Sequence, residues 1–218
     1  MTCSWQVEID PFCRAVLDRR WPDVPKYHDV RMLSTNYMHH VDLIQGGFPC
    51  VDISLAGKQH GIYGFGNSGG SGLWRSMFEA IRHLEPRYVL VENVAALLAK
   101  GHGANRVFGD LATLGYFACW TVLPACAFGA PHPRRRVFIF AYSHGKRCYA
   151  WEKAVSSGEA QRSFARGSWW ASEPAMARVA YGIPSGVDRR KALGNAVVPV
   201  VSEYIGHMIM AFDKENMT

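Results

Sequence analysis

The sequence predicts an α/β fold, and three observations carry that expectation. Short apolar, β-branched runs end abruptly in glycine or polar residues at 41–45, 87–91 and 136–141. Segments with apolar residues at helical spacing lie among them, the clearest being Leu73, Met77, Ala80, Ile81 and Leu84. Finally, 218 residues at 49 % apolar and 19 % charged content suffice for one α/β domain with a sizeable core and a small appended lobe.

In chain order, residues 4–9 read as a strand. Asp10-Pro11 then opens a helix to about Arg20, with proline in the first turn and Phe12, Ala15, Val16 and Trp21 expected to face a core. Tyr27-His28-Asp29-Val30 reads as a short strand with an acid near its end. Val41-Asp42-Leu43-Ile44-Gln45 is a buried strand, and Gly46-Gly47 permit a sharp turn after it. Pro49 fixes φ immediately before Cys50, which would hold that thiol at the carboxyl edge of the sheet, where open α/β sheets place their chemistry. Taken alone, such a cysteine is either a nucleophile or a buried small hydrophobe.

Seven glycines between Gly57 and Gly72 describe a mobile loop; the segment lacks the Gly-Lys-Ser/Thr ending of a phosphate cradle. A helix over 73–84 stops at Glu85-Pro86, and the next strand delivers Glu92-Asn93-Val94 at its carboxyl end. A helix follows Gly101-His102-Gly103, with Val107, Leu111 and Leu114 inward. Runs 116–123 and 136–142 are compatible with an antiparallel pair, joined by a loop that ends Pro131-His132-Pro133-Arg134-Arg135-Arg136. Periodicity fades over 143–178, where Lys146, Arg147, Lys153, Arg162 and Arg166 interleave with Tyr149, Trp151, Phe164, Trp169 and Trp170. That mixture suits backbone contact with base stacking, or else a satellite core. A final helix occupies about 200–212, with Ile205, Met208, Ile209 and Phe212 on one face.

Composition narrows the function classes. No apolar run is long enough to span a bilayer, and Met1-Thr2-Cys3-Ser4 is no signal peptide, so a soluble, cytoplasmic, monomeric protein is expected. Cys3, Cys13, Cys50, Cys119, Cys126 and Cys148 include no Cys-x-x-Cys, which argues against a zinc site or a disulfide framework. Residues 1–130 hold 11 Lys+Arg and 11 Asp+Glu, whereas 131–218 hold 13 and 7, so the whole formal excess of +6 sits in the last part of the chain. A polyanion would be drawn there, although a solvated basic face has the same composition.

Thiol, carboxyl and guanidinium therefore follow one another, each beside a buried strand. With Pro49-Cys50-Val51-Asp52-Ile53-Ser54, Glu92-Asn93-Val94, His132-Pro133-Arg134-Arg135-Arg136 and Gly194-Asn195-Ala196-Val197-Val198-Pro199, the chain resembles the DNA cytosine C5 methyltransferases. Their motifs read Pro-Cys-Gln-x-x-Ser, Glu-Asn-Val, Gln-x-Arg-x-Arg and Gly-Asn-x-Val-x-Pro, in that order. Val51 and His132 depart from the two glutamines, and neither departure removes a reactive group.

The resemblance implies a Rossmann-like S-adenosylmethionine-dependent methyltransferase fold with a mixed, mostly parallel sheet. It implies a catalytic domain at 1–142, a short DNA target recognition region at 143–178 and a segment at 179–218 that returns to the catalytic domain. It also implies duplex DNA as partner, with Cys50 as nucleophile, Glu92 binding the base edge, Arg136 holding the base oxygen and Arg134 supporting the same pocket. S-adenosylmethionine would be met by Glu8, Ile9, Asp29, Val30, Pro49, Leu73, Asn195 and Val197; Leu73 and its neighbour Trp74 could equally serve only the core. The family's Phe-x-Gly-x-Gly loop, with its strand and helix, is not found before Glu8, so an upstream polypeptide supplying it is one expectation. A catalytically silent DNA-binding remnant, half of a split enzyme, and a tRNA cytosine C5 methyltransferase are the competing readings.

Overall fold

The computed structural model describes residues 1–33, 38–48, 73–99, 102–143, 192 and 194–216. Its chain divides into two compact units, Met1–Val122 with Arg135–Lys146, and Leu123–Arg134 with Arg147–Thr218. Pro49, Cys50, the glycine-rich segment and the basic-aromatic interval after Ser143 lie outside the described residues.

The first unit holds a sheet in the order β3-β4-β6-β5, built from Leu43–Gly46, Tyr88–Val94, Arg135–Tyr142 and Phe117–Pro124 respectively. β5 runs past Val122 into the second unit. β3 pairs parallel with β4, Gly46 opposite Val91, and β4 pairs antiparallel with β6, Val89 opposite Ala141. β4 and β6 are central, covered on both faces, and accordingly read as almost unbroken apolar runs rather than alternating ones. Phe117, at the start of β5, stacks on Tyr142, at the end of β6, as an antiparallel neighbour should.

One face of this sheet, with Ile44, Val89, Val91, Val137, Ile139 and Ala141, packs with α2 (Leu73–Leu84) and α3 (Ala104–Thr113) in a single core. α2 contributes Trp74, Met77, Ala80, Ile81 and Leu84, an i, i+3, i+7 stripe that explains why its limits match the sequence reading residue for residue. It stops because Glu85 adopts φ 43, the left-handed cap conformation, and Pro86 cannot continue the helix. The indole Nε1 of Trp74 donates to Asp110 Oδ2 at 2.9 Å, pinning α2 to α3. On the opposite face the rings of Tyr88, Phe140 and Tyr142 pack together.

Also in this unit, β1 (Gln6–Val7) and β2 (Lys26–Tyr27) form a two-stranded parallel sheet around α1 (Pro11–Arg20). Asp10 caps α1, its side chain accepting from the backbone N–H groups of Phe12 and Cys13. Three expectations are corrected here. The first strand spans only Gln6–Val7 of the six residues expected, and the second stops at Tyr27, because Asp29 caps a 3-10 turn at Val30–Met32 with its side chain on the Arg31 N–H. α1 buries no residue: of the four expected to face a core, Phe12 is half-covered, Ala15 is exposed, and Val16 and Trp21 are 46 % and 47 % exposed, while Cys13 and Leu17, four residues apart, are half-covered as well. Spacing identified a helix but not which stripe turns inward, since the apolar residues of α1 are spread around its circumference.

In the second unit α4 (Pro199–Asn216) buries Val201, Tyr204, Ile205, Met208, Ile209 and Phe212, and Tyr204 packs its ring 5.3 Å from Phe128 of the 3-10 turn Ala125–Phe128. Among the described residues no helix is long and apolar enough to cross a membrane.

Candidate active site

The parallel register of β3 and β4 continues one step past the last paired residues, bringing Gly47 beside Glu92. A Cβ on Gly47 would stand 2.9 Å from the Glu92 carbonyl oxygen and 3.2 Å from its Oε2, so only glycine lets the two chain segments come this close. Glu92 lies within β4 rather than beyond it, as do Asn93 and Val94, which corrects the expectation that the strand would end at Val91. Its placement in a ladder, instead of a loop, fixes the direction of its side chain.

Successive strand residues serve opposite faces. Glu92 lies on the aromatic face, opposite Phe138, and Arg136 stands opposite Val94, diagonal to Glu92. A guanidinium spans that diagonal easily, and Arg136 Nε lies 3.1 Å from Glu92 Oε1, both side chains largely buried. The two form a close ion pair between largely buried side chains, where solvent screens the attraction less than in open water.

Asn93 faces the helix-covered side and is 3 % exposed. Its Nδ2 donates to the Phe48 carbonyl oxygen at 3.1 Å, and its Oδ1 accepts the Val94 N–H at 2.8 Å. Phe48 is itself buried, its ring 5.7 Å from that of Trp74. The chain immediately before Pro49 and Cys50 is therefore tied down by an amide and an aromatic contact. Sequence reasoning quoted Asn93 within its motif but gave it no role; a polar residue inside an otherwise apolar strand was the available signal. Asn93→Ala removes the buried amide and leaves the Phe48 carbonyl without it, for an expected loss of about 1–3 kcal/mol. Chemical denaturation of the purified variant measures that loss.

The other expected site residues fall into separate groups. Glu8 and Ile9 follow β1, and Asp29 and Val30 follow β2, so all four stand at the carboxyl edge of one parallel pair. Glu8 Oε1 accepts the Asp10 N–H at 2.8 Å. The Asp29 carboxylate is gripped by Arg31, Nε at 3.0 Å from each oxygen and Nη2 at 2.6 Å, and those hydrogen bonds hold its pKa below the ordinary carboxylate value. Two carboxylates at neighbouring parallel strand ends are the acceptor set that nucleoside hydroxyl and amino groups call for. Leu73 opens α2, half-buried against the core, and its neighbour Trp74 is committed to packing.

In the second unit Arg134, Gly194 and Ala196 come together, flanking Asn195, which is exposed, and Val197, which is half-buried. Cys50 and Pro49 lie outside the described residues. No group of three or more metal-ligating side chains occurs among the described residues.

The arrangement of strands and helices that carries this pair is found in solved structures. The chain is similar to S. pombe Dnmt2 methyltransferase, with a TM-score of 0.52 over 69 % of this chain and 47 % of that one at 16 % identity. It is similar also to a Spodoptera frugiperda DNMT2 variant, with a TM-score of 0.51 over 64 % and 42 % at 20 % identity. The fold is that of the S-adenosylmethionine-dependent methyltransferases, with mixed sheets. The model of the C-5 cytosine-specific DNA methylase family matches residues 1–166, and the chain belongs to that family.

Among curated relatives it is 34 % identical over 140 residues to the type II methyltransferase M2.BsuMI of Bacillus subtilis, covering 62 % of this chain and 34 % of that protein. With M2.ScrFI of Lactococcus lactis the identity is 36 % over 117 residues, covering 53 % and 32 %. The chain thus spans about a third of the length of these relatives.

Proposed function

We propose that this chain carries the cytosine-activating half of a DNA cytosine C5 methyltransferase reaction, with Cys50 as nucleophile and S-adenosylmethionine as cofactor. One observation supports it above the rest: the Glu92–Arg136 pair stands at 3.1 Å beside Gly47, on the strand end that leads within three residues to Cys50.

Carbon 5 of cytosine is too weak a nucleophile to attack a methyl sulfonium unaided. The Cys50 thiolate adds to carbon 6, and the electron pair displaced from the 5,6 double bond makes carbon 5 nucleophilic. Glu92 hydrogen-bonds the exocyclic amine and N3, placing a proton at N3 as charge develops there. Arg136 holds the base oxygen and orients the Glu92 carboxyl. S-adenosylmethionine, when bound, supplies the methyl group; the carboxylates of Glu8 and Asp29 suit its ribose and adenine, with Ile9, Val30, Pro49, Leu73, Asn195 and Val197 completing the contact. Loss of the carbon 5 proton then returns its electron pair to the ring and expels Cys50 as thiolate. A base stacked in a duplex must leave the stack for this to happen.

The split-enzyme reading is favoured by a separate observation. Among the described residues β1 pairs only with β2, and β3 only with β4, which leaves two parallel strands of one unit each with an open edge. A further polypeptide segment carrying a strand and a glycine loop would fit there and complete the cofactor site.

Covalent trapping tests the proposal. Duplex DNA carrying 5-fluorocytosine blocks the final proton loss, so a cofactor-dependent protein–DNA adduct is expected, and Cys50→Ala is expected to abolish it. Adduct formation on RNA alone would move the substrate to tRNA. A folded chain that binds DNA yet gives no adduct would overturn autonomous activity and leave the split or silent readings.

A further inference from the structure

Arg134 stands at the first arginine of its motif, the place from which the resemblance assigned it to the base pocket. Its surroundings within the second unit assign it elsewhere. Nη2 of the guanidinium donates to the Gly194 carbonyl oxygen at 2.8 Å and to the Ala196 carbonyl oxygen. The Ala196 N–H closes a helical turn on the Ala192 carbonyl oxygen at 2.8 Å, so the two acceptors of Arg134 lie at the end of that turn. Three residues on, Pro199 starts α4, and the amides of Val201 and Ser202 donate to the Val198 carbonyl oxygen. The connector between turn and helix is shaped at one end by α4 and at the other by one arginine.

The backbone of Arg134 is adapted to this task. Its φ of 24 is in the left-handed region, unusual for a residue with a side chain, and the structure sustains it through neighbouring contacts. The Ala125 N–H donates to the Pro133 carbonyl oxygen at 2.8 Å and more weakly to that of Arg134, at 3.4 Å, closing the loop that presents the guanidinium. Phe128 in that loop packs on Tyr204 of α4. Loop and helix are thereby held together, and Arg134 spans the remaining step to the connector. Both bonds leave one planar –NH2, whose two N–H donors point in fixed directions toward carbonyls two residues apart; a lysine ammonium on its flexible stem reproduces that geometry only in part.

We propose that Arg134 is a positioning residue for the Gly194–Val197 connector, acting on cofactor capture through Asn195 and Val197 rather than on the cytosine. This rests on the reaction proposed above for the role of those two residues, although the contact itself does not.

Two measurements on the full chain decide it. In methyl transfer from tritiated S-adenosylmethionine to DNA, Arg134→Gln is expected to raise KM for the cofactor at least tenfold, a larger change than in kcat, with KM for DNA unchanged, and Arg134→Lys to recover only part of it. A fall in kcat with an unchanged cofactor KM is the signature of a base-pocket residue and would overturn the assignment. In amide hydrogen exchange, Arg134→Gln is expected to accelerate exchange at residues 196–198 about tenfold while the buried turns of α4 stay protected. Unchanged exchange there overturns the latch whether or not the chain turns over. An inactive wild type with the expected exchange result overturns the proposed reaction and leaves the latch standing.

Discussion

On the proposed reaction, Glu92→Gln is expected to lower methyl transfer by about 10²–10⁴-fold, the range that a positioned acid or base commonly contributes. Glutamine keeps the length of the side chain and an oxygen that can accept from Arg136, so the diagonal contact across β4 and β6 survives in weakened form. What it lacks is the negative charge and the ability to give up or take a proton near neutral pH. A variant that stays folded but hardly transfers methyl groups would therefore separate chemistry from packing. Glu92→Asp keeps the charge but is a methylene short of the 3.1 Å approach, and it should also be impaired. Tritium incorporation into DNA, alongside a thermal melt of each variant, makes the comparison. Turnover of Glu92→Gln within about threefold of wild type would contradict a general acid–base role at this position.

Gly47→Ala is expected to lower stability and, on the proposed reaction, activity as well. The new methyl group would meet a backbone oxygen at 2.9 Å, and that oxygen belongs to β4, whose ladder to β6 leaves it little room to yield. Relief must come from the end of β3 or from the Glu92 side chain, 3.2 Å away at Oε2. Overpacking of this kind costs about 1–3 kcal/mol, or roughly 2–4 °C in melting temperature for each kcal/mol in a chain of this size. Because the displaced segment leads straight to Cys50, misplacement by about 1 Å is expected to cost on the order of 10²-fold in rate. Gly109→Ala is the natural control: it lies in α3, a Cβ there meets nothing within 4 Å, and helix propensity predicts a gain of about 0.5–1 kcal/mol. Equal melting temperatures for Gly47→Ala and wild type would show that β3 yields freely, and the argument for a glycine-dependent close approach would fail.

Much of the site was legible because it is built from backbone-scale features. A glycine pair after an apolar run marks a strand end wherever it occurs, and a carboxylate inside a second such run must emerge on one face of the same sheet. The resemblance implied that Glu92 and Arg136 serve one base, but that their side chains pair directly at 3.1 Å was not legible. It depends on register, since shifting β6 by one residue against β4 would send Arg136 to the helix-covered face. The role of Asn93 was hidden for a similar reason, because its partner is the carbonyl of Phe48, 45 residues earlier in the chain. For Arg134 the motif pointed toward the base, whereas its guanidinium reaches carbonyls 60 and 62 residues later, a pairing no local pattern encodes.

By itself the sequence determined the order of elements, the full span of α2, the apolar character of β4 and β6, and the residue types available at each strand end. Local sterics and hydrophobic periodicity act over a few residues, and they suffice for those features. Tertiary structure decided which stripe of α1 is covered, where β1 and β2 stop, which face of β4 carries Glu92 and which carries Asn93, and what each guanidinium holds. These depend on register and on contacts between residues far apart in the chain, where the free energy of burial and pairing outweighs local preference.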